Sequence, residues 1–228
     1  MTLPAIVTSA RTLGYYTRLQ EVTANNLANV SSDAYKGDRI TAQALAGDTS
    51  PTAVHTLDLR QGTLRETGRG LDVGLEGDGF LVVRTAQGER LTRGGSLEIS
   101  REGFLVDRHG DLLLGEDGPL HVAGKELVLE ADGTVLVDGA RAGRLRFETV
   151  ASPTALLKEG EGRFRTTAAT IGAAGLQLRQ RSLEEANVSP LLGTVDLIMI
   201  QRAYAANTEA LRTMDGVLGT VTGDIGRV

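Results

Sequence analysis

Residues 189–222 read "SPLLGTVDLIMIQRAYAANTEALRTMDGVLGTVT", and the spacing of apolar residues there decides the fold. Leu197, Tyr204, Leu211, Leu218 and Ile225 recur every seven residues, and Ile200, Asn207, Met214, Val221 and Val228 each follow three residues later. Nine of these ten positions are apolar or aromatic. A seven-residue repeat held this long predicts a helix packed on another helix. The exception, Asn207, is the kind of polar residue that fixes register in such a seam. A helix over 191–222 is roughly 48 Å long at 1.5 Å per residue, more than an ordinary domain helix needs. The plainer alternative is a helix folded back onto its own domain's core. Ser189 suits the N-cap and Pro190 the first helical position, where a missing N–H costs nothing.

The other end of the chain carries a weaker version of the same pattern. A helix is predicted from about Pro4 to Asn29, with Leu3, Ile6, Ala10, Leu13, Thr17, Gln20, Ala24 and Leu27 at alternating spacings of three and four. Six of these eight are apolar, which makes a narrow seam. "ANVS" occurs at 28–31 and again at 186–189. The first copy ends a helix, because asparagine tolerates the left-handed conformation there. The second precedes one. If the two helices pack antiparallel, both copies lie at the same end of the pair.

Between these ends the composition changes. Of 29 glycines, 23 fall from Gly37 to Gly175, and all four phenylalanines lie in the middle while all four tyrosines lie in the terminal segments. Short runs such as "GFLVV", "DLLLG", "ELVLE" and "TVLVD" alternate with glycine turns at eight- to twelve-residue intervals. That rhythm predicts antiparallel hairpins, with Asp132-Gly133 and Asp138-Gly139 as turns. The fold class is therefore α+β: long N- and C-terminal helices forming a coiled-coil core segment, and a central antiparallel β domain of small sandwich or barrel-like form. The expected division is 1–36 and 180–228 as a helical assembly domain, 37–69 as an extended connector and 70–179 as the β domain.

Several function classes fall away. The net charge is −5 with both signs interspersed, so no basic stripe favours nucleic acid or an anionic membrane. With no cysteine there is no disulfide, thiolate chemistry or Cys-based zinc site. No apolar run reaches membrane-spanning length, so direct membrane insertion is not expected. The start of the chain lacks the basic and hydrophobic regions of a cleavable signal peptide. His55, His109 and His121 stand singly, and no G-x-S-x-G or HExxH pattern occurs. "GLEGDGF" lacks the spacing of a phosphate loop, and the Asp-Gly pairs suit turns better than calcium. No enzyme site, cofactor or metal is expected.

Three long segments resemble bacterial flagellar rod, hook and hook-associated proteins, and they occur in that family's order. "VTANNLANVSSDAYKGDR" (22–39) resembles the N-terminal signature, with Asn25, Asn26, Leu27, Ala28 and Asn29 as the family motif. "LDVGLEGDGFLVV" (71–83) and "RLTRGGSLEISREGFLVDRHGDLLLG" (90–115) are similar to the central module, and "NVSPLLGTVDLIMIQRAYAANTEAL" (187–211) to the C-terminal helix. Within the family the short connector is similar to the proximal rod type, while "MIQRAYAAN" is similar to the distal rod helix. Ala34 stands where the family usually has glycine, Gly95 where it often has asparagine, and Leu81 replaces a common second phenylalanine. Alanine tolerates positive φ poorly.

The resemblance implies a structural subunit of the basal-body rod, assembled with copies of itself and with other rod and hook axial proteins. It also implies unfolded export through the flagellar type III apparatus without signal cleavage. The assembly seam would comprise Leu3, Ile6, Leu13 and Leu27 with Leu197, Ile200, Tyr204, Asn207, Leu211, Met214, Leu218 and Val221. Its ends would be largely disordered before assembly. The competing classes are an oligomeric β-domain enzyme or ligand-binding module with helical ends, and a cytoplasmic coiled-coil scaffold.

Overall fold

The computed structural model describes residues 2–44, 51–124 and 126–225. The architecture is α+β: a helix α1, Thr2–Ala28, precedes a central set of strands, and a helix α2, Pro190–Ile225, follows it. The chain divides into two compact units, one of residues 1–28, 38–56 and 189–228, the other of 29–37 and 57–188.

In the first unit α1 and α2 pack on each other. A Cβ added to Gly193 would stand 3.8 Å from Leu27 Cδ1, so the end of α1 meets the start of α2 and the pair runs antiparallel. Ser189 opens α2: its Oγ accepts from the Leu192 N–H at 3.4 Å, its carbonyl accepts from the Gly193 N–H at 2.9 Å, and Pro190 is the first helical residue. The stretch read as a connector holds strands Asp38–Ala44 and Pro51–Leu57, which pair. Asn26 on α1 grips the first of these. Its Nδ2 donates to the Asp38 carbonyl at 2.8 Å and its Oδ1 accepts from the Asp38 N–H at 2.9 Å, as a neighbouring strand would.

The second unit is built on a sheet whose paired neighbours all run antiparallel. Its central order is Leu156–Gly160, Arg163–Thr166, Gly88–Thr92, Phe80–Thr85, Leu112–Gly115, Leu105–Asp107, Gly94–Ile99, Asp72–Glu76 and Gln177–Gln180. Half of these neighbours are consecutive in the chain and joined by short hairpin connections, and the other half bring distant segments together. Phe80 and Val82 enter one core with Leu91, Leu114, Leu156 and Phe164, while Leu81 and Val83 enter another with Val73, Leu75, Leu97, Leu105 and Leu113. Successive side chains on a strand face opposite ways. The run "FLVV" therefore shows no polar alternation because both of its faces are covered.

The glycine rhythm sets the corners. Asp138 and Gly139 both take positive φ, 51° and 80°, and join Thr134–Val137 to Ala140–Arg144. Two successive positive φ values define the turn whose twist matches a hairpin. At the preceding corner the Asp132 carboxylate accepts from the Thr134 N–H at 2.9 Å, and that bond holds its pKa below the usual carboxylate range.

Leu81, on the strand Phe80–Thr85, is fully buried. Leu81→Ala is expected to lower unfolding stability by about 2–5 kcal/mol, measured by urea denaturation followed by circular dichroism.

Candidate assembly surface and its anchor

α2 is two-sided. Gly193, Leu197, Ile200, Ala203, Asn207 and Leu211 lie on its half-buried side, and Ile200 is the most covered at 6 % exposure. The other side is open and apolar near the start of the helix: Leu191 is 73 % exposed, and Leu192, Val195, Ile198 and Met199 are exposed with it. Further along, Tyr204, Met214 and Val217 are exposed. On α1, Ile6, Leu13 and Leu27 are half-buried, while Ala10, Thr17 and Ala24 are exposed. The side chains of Leu3, Leu218 and Val221, and all of Val228, lie outside the described residues.

Many polar letters on these helices make no demand on a partner. Thr12, Thr17 and Thr23 on α1 and Thr194, Thr208, Thr213 and Thr220 on α2 donate their hydroxyls to the carbonyl four residues back. Asn207 donates its amide to the Ala203 carbonyl at 2.9 Å in the same way. A threonine satisfied within its own helix can be covered by another surface without stranding a donor.

The segments that follow α1 and precede α2 meet in the second unit around one buried carboxylate. Glu184 Oε1 accepts from Lys36 Nζ at 2.6 Å and from the Gly62 N–H at 2.8 Å, and its Oε2 accepts from Arg93 Nε at 3.1 Å. The side chains of Lys36, Arg93 and Glu184 are 1 %, 4 % and 0 % exposed. Arg93 spends its remaining donors on the carbonyls of Gly77, Gly79 and Leu75, and Lys36 also donates to the Arg60 carbonyl. Asn187 completes the joint. Its Oδ1 accepts from the Gly37 N–H at 2.7 Å and its Nδ2 donates to the carbonyls of Asp58 and Arg60. A side chain at position 62 has no room, since a Cβ there would fall 2.0 Å from the Glu185 carbonyl oxygen.

The family motif spreads across both units. Asn26 makes the strand-like pair with Asp38, Leu27 packs near Gly193, and Ala28 is exposed. The Asn29 carbonyl accepts from the Ser32 N–H in the turn after α1. Sequence reasoning missed Lys36, Arg93, Glu184 and Asn187 as one group, because 148 residues separate Lys36 from Glu184. Among the described residues, no group of three or more His, Asp or Glu side chains could hold a metal ion, and no helix is long and apolar enough to cross a membrane.

Residues 74–139 match the flagellar hook protein FlgE/F/G D1 domain, and residues 179–223 match the C-terminal domain of flagellar basal body rod FlgEFG proteins. The flagellar basal-body rod protein FlgF of Salmonella typhimurium is 32 % identical over 222 residues, covering 86 % of this chain and 88 % of that protein. The chain belongs to the flagellar basal-body rod protein family. FlgF of Escherichia coli is 30 % identical over 88 % of this chain and 89 % of its own length. The rod protein FlgG of Bacillus subtilis is 26 % identical over 87 % of this chain and 90 % of its own.

At Ala34 the backbone takes φ 54°. Its N–H donates to the Glu184 carbonyl at 2.6 Å and the residue is buried, so the joint holds alanine in a left-handed conformation. That conformation costs about 1–2 kcal/mol for a residue with a Cβ. Ala34→Val adds a branch at the strained position and is expected to lower stability by a further ~1–3 kcal/mol, read from the thermal unfolding midpoint.

Burial pushes the Lys36 ammonium pKa down from 10.5, against the pull of Glu184. The unfolded chain therefore binds more protons at this residue than the folded chain in the window just below pH 10.5, and there the lysine's contribution to stability rises with pH. The unfolding free energy of the wild type minus that of Lys36→Met is expected to increase as pH climbs toward 10.5. A difference that falls with pH would contradict this sign.

Proposed function

We propose that this chain is a structural subunit of the flagellar basal-body rod, built into the shaft through its terminal helices and with no catalytic role. The observation that carries this reading is the similarity to FlgF across 86 % of the chain, together with the C-terminal rod-protein match over residues 179–223. The FlgF relatives at 32 % and 30 % identity favour a proximal rod subunit, and the FlgG relative at 26 % supports a distal one less strongly.

In this reading residues 1–36 and 180–228 form the assembly domain, 37–69 the connector and 70–179 an outer β domain. The helices wind as a coiled coil along Leu3, Ile6, Leu13 and Leu27 and along Leu197, Ile200, Tyr204, Asn207, Leu211, Met214, Leu218 and Val221. The exposed side of α2 then meets neighbouring subunits. Fully burying each large apolar side chain contributes about 1.5–3 kcal/mol, offset by the cost of ordering the ends. A head-to-tail contact whose rotation does not close generates a helical tube. Partners are copies of the chain and other rod and hook axial proteins. The chain reaches the rod through the flagellar type III apparatus, and its ends become fully ordered on assembly.

Basal bodies purified from a strain lacking the native gene and expressing this chain test the reading. The full chain is expected in the rod fraction with motility restored, and a chain lacking residues 1–30 is expected to be absent. A full chain absent from purified basal bodies would sink the proposal. Ile198 and Met199 are both exposed. Replacing each with aspartate is expected to change the stability of the free chain by less than about 0.5 kcal/mol, yet abolish incorporation.

A further inference from the structure

Glu184 is the point at which the chain segment after α1 and the segment before α2 are joined. Its carboxylate binds Lys36 from the first segment, the Gly62 N–H from the loop beneath, and Arg93 from the β unit. Its carbonyl receives the Ala34 N–H at 2.6 Å, and its strand Ser182–Glu184 pairs with Leu64–Glu66. Three residues on, the Asn187 N–H donates to the Tyr35 carbonyl at 3.2 Å, and the Gly37 N–H donates to Asn187 Oδ1. The residues from 34 to 37 thus make four hydrogen bonds to Glu184 and Asn187. An apolar contact tolerates sliding, but a fully enclosed carboxylate with fixed donors on both oxygens has one register.

We propose that Glu184 is a positioning residue for rod assembly: it fixes the spacing of the two helix roots, residues 34–37 and 184–187, that neighbouring subunits require. This rests on the rod reading above. The charge balance explains why a carboxylate is needed. Lys36 and Arg93 bring two cations to one anion, and Arg93 spreads its excess over three carbonyls while Lys36 has one. Removing the anion leaves a buried ammonium beside a guanidinium, and the cheapest relief is for Lys36 to leave with its segment. The roots then separate before the sheet yields.

The test uses the full chain and two variants, Glu184→Gln and Lys36→Met. Lys36→Met keeps the carboxylate on Arg93 and Gly62, so it remains folded if Glu184→Gln does not. In Glu184→Gln the amides of Ala34, Gly37, Gly62 and Asn187 are expected to exchange with solvent roughly tenfold faster or more, while those of Val82 and Leu91 in the sheet hold their rates. Lys36→Met should accelerate the same four amides less. Adding Lys36→Met to Glu184→Gln should recover part of the loss, because it removes the unpaired cation. Incorporation into purified basal bodies should fall in the same order. Uniform acceleration of all amides, no acceleration, or local acceleration with undiminished incorporation would each overturn the proposal. If the wild-type chain itself fails to enter basal bodies, the rod reading falls, and the exchange pattern alone judges whether Glu184 holds the roots.

Discussion

A carboxylate buried with two cations is the constraint on which the remaining structure depends. Glu184 cannot be left half-satisfied, because an ionised group in a low-dielectric interior is tolerated only when its charge and lone pairs are met. Meeting them recruits residue 36, residue 62 and residue 93, three parts of the chain with no local reason to be together. Ion pairs of this kind add little net stability over a well-packed apolar substitute. What they add here is a unique register for the segments that lead from and to the helices. The same joint keeps Ala34 at a positive φ that alanine resists, so its hydrogen bonds outweigh a real backbone cost.

Two other constraints operate within the β unit. The strand Phe80–Thr85 is covered on both faces, and its neighbours supply leucine and valine to each core. Between strands, positive φ recurs at corners where only glycine or a short polar residue is comfortable, as at Asp138-Gly139. Gly94 adds a second reason, since a Cβ there would fall 2.4 Å from the Val73 carbonyl oxygen. Covered strands and tight corners together account for a middle rich in glycine and poor in long polar runs.

The parts of this structure legible in the sequence are those encoded locally. Apolar residues every seven positions, Ser189-Pro190 and the Asp-Gly pairs each act over a few residues, and each has a local structural counterpart. Lys36 and Glu184 had no such signature, because a lysine after a helix and a glutamate in "SLEEA" look like ordinary surface charges. Their burial is a property of the closed chain. Asn187 is similar: as a letter it suggests a helix boundary, whereas its amide is engaged by Gly37, Asp58 and Arg60. Strands 38–44 and 51–57 were harder still, since their polar and threonine-rich pattern marks extended chain without saying what it pairs with.

The unequal lengths of the helices bear on assembly. With Leu27 level with Gly193 in an antiparallel pair, equal rises of about 1.5 Å per residue bring Thr2 level with about residue 218. α2 runs to Ile225, so its last turns extend past the start of α1. Among the described side chains, its exposed side is also most apolar at the opposite end, at Leu191, Leu192, Val195, Ile198 and Met199. A single α1 can cover only one side of α2, and the open side would draw the chain into unspecific association if it were uniformly greasy. The threonines temper this: they expose hydroxyls already bonded to their own helix, so the surface stays wet alone yet strands no donor when covered. Such a face gains little from casual contact and more from a partner that matches it along its whole length, which is the discrimination an ordered helical assembly needs.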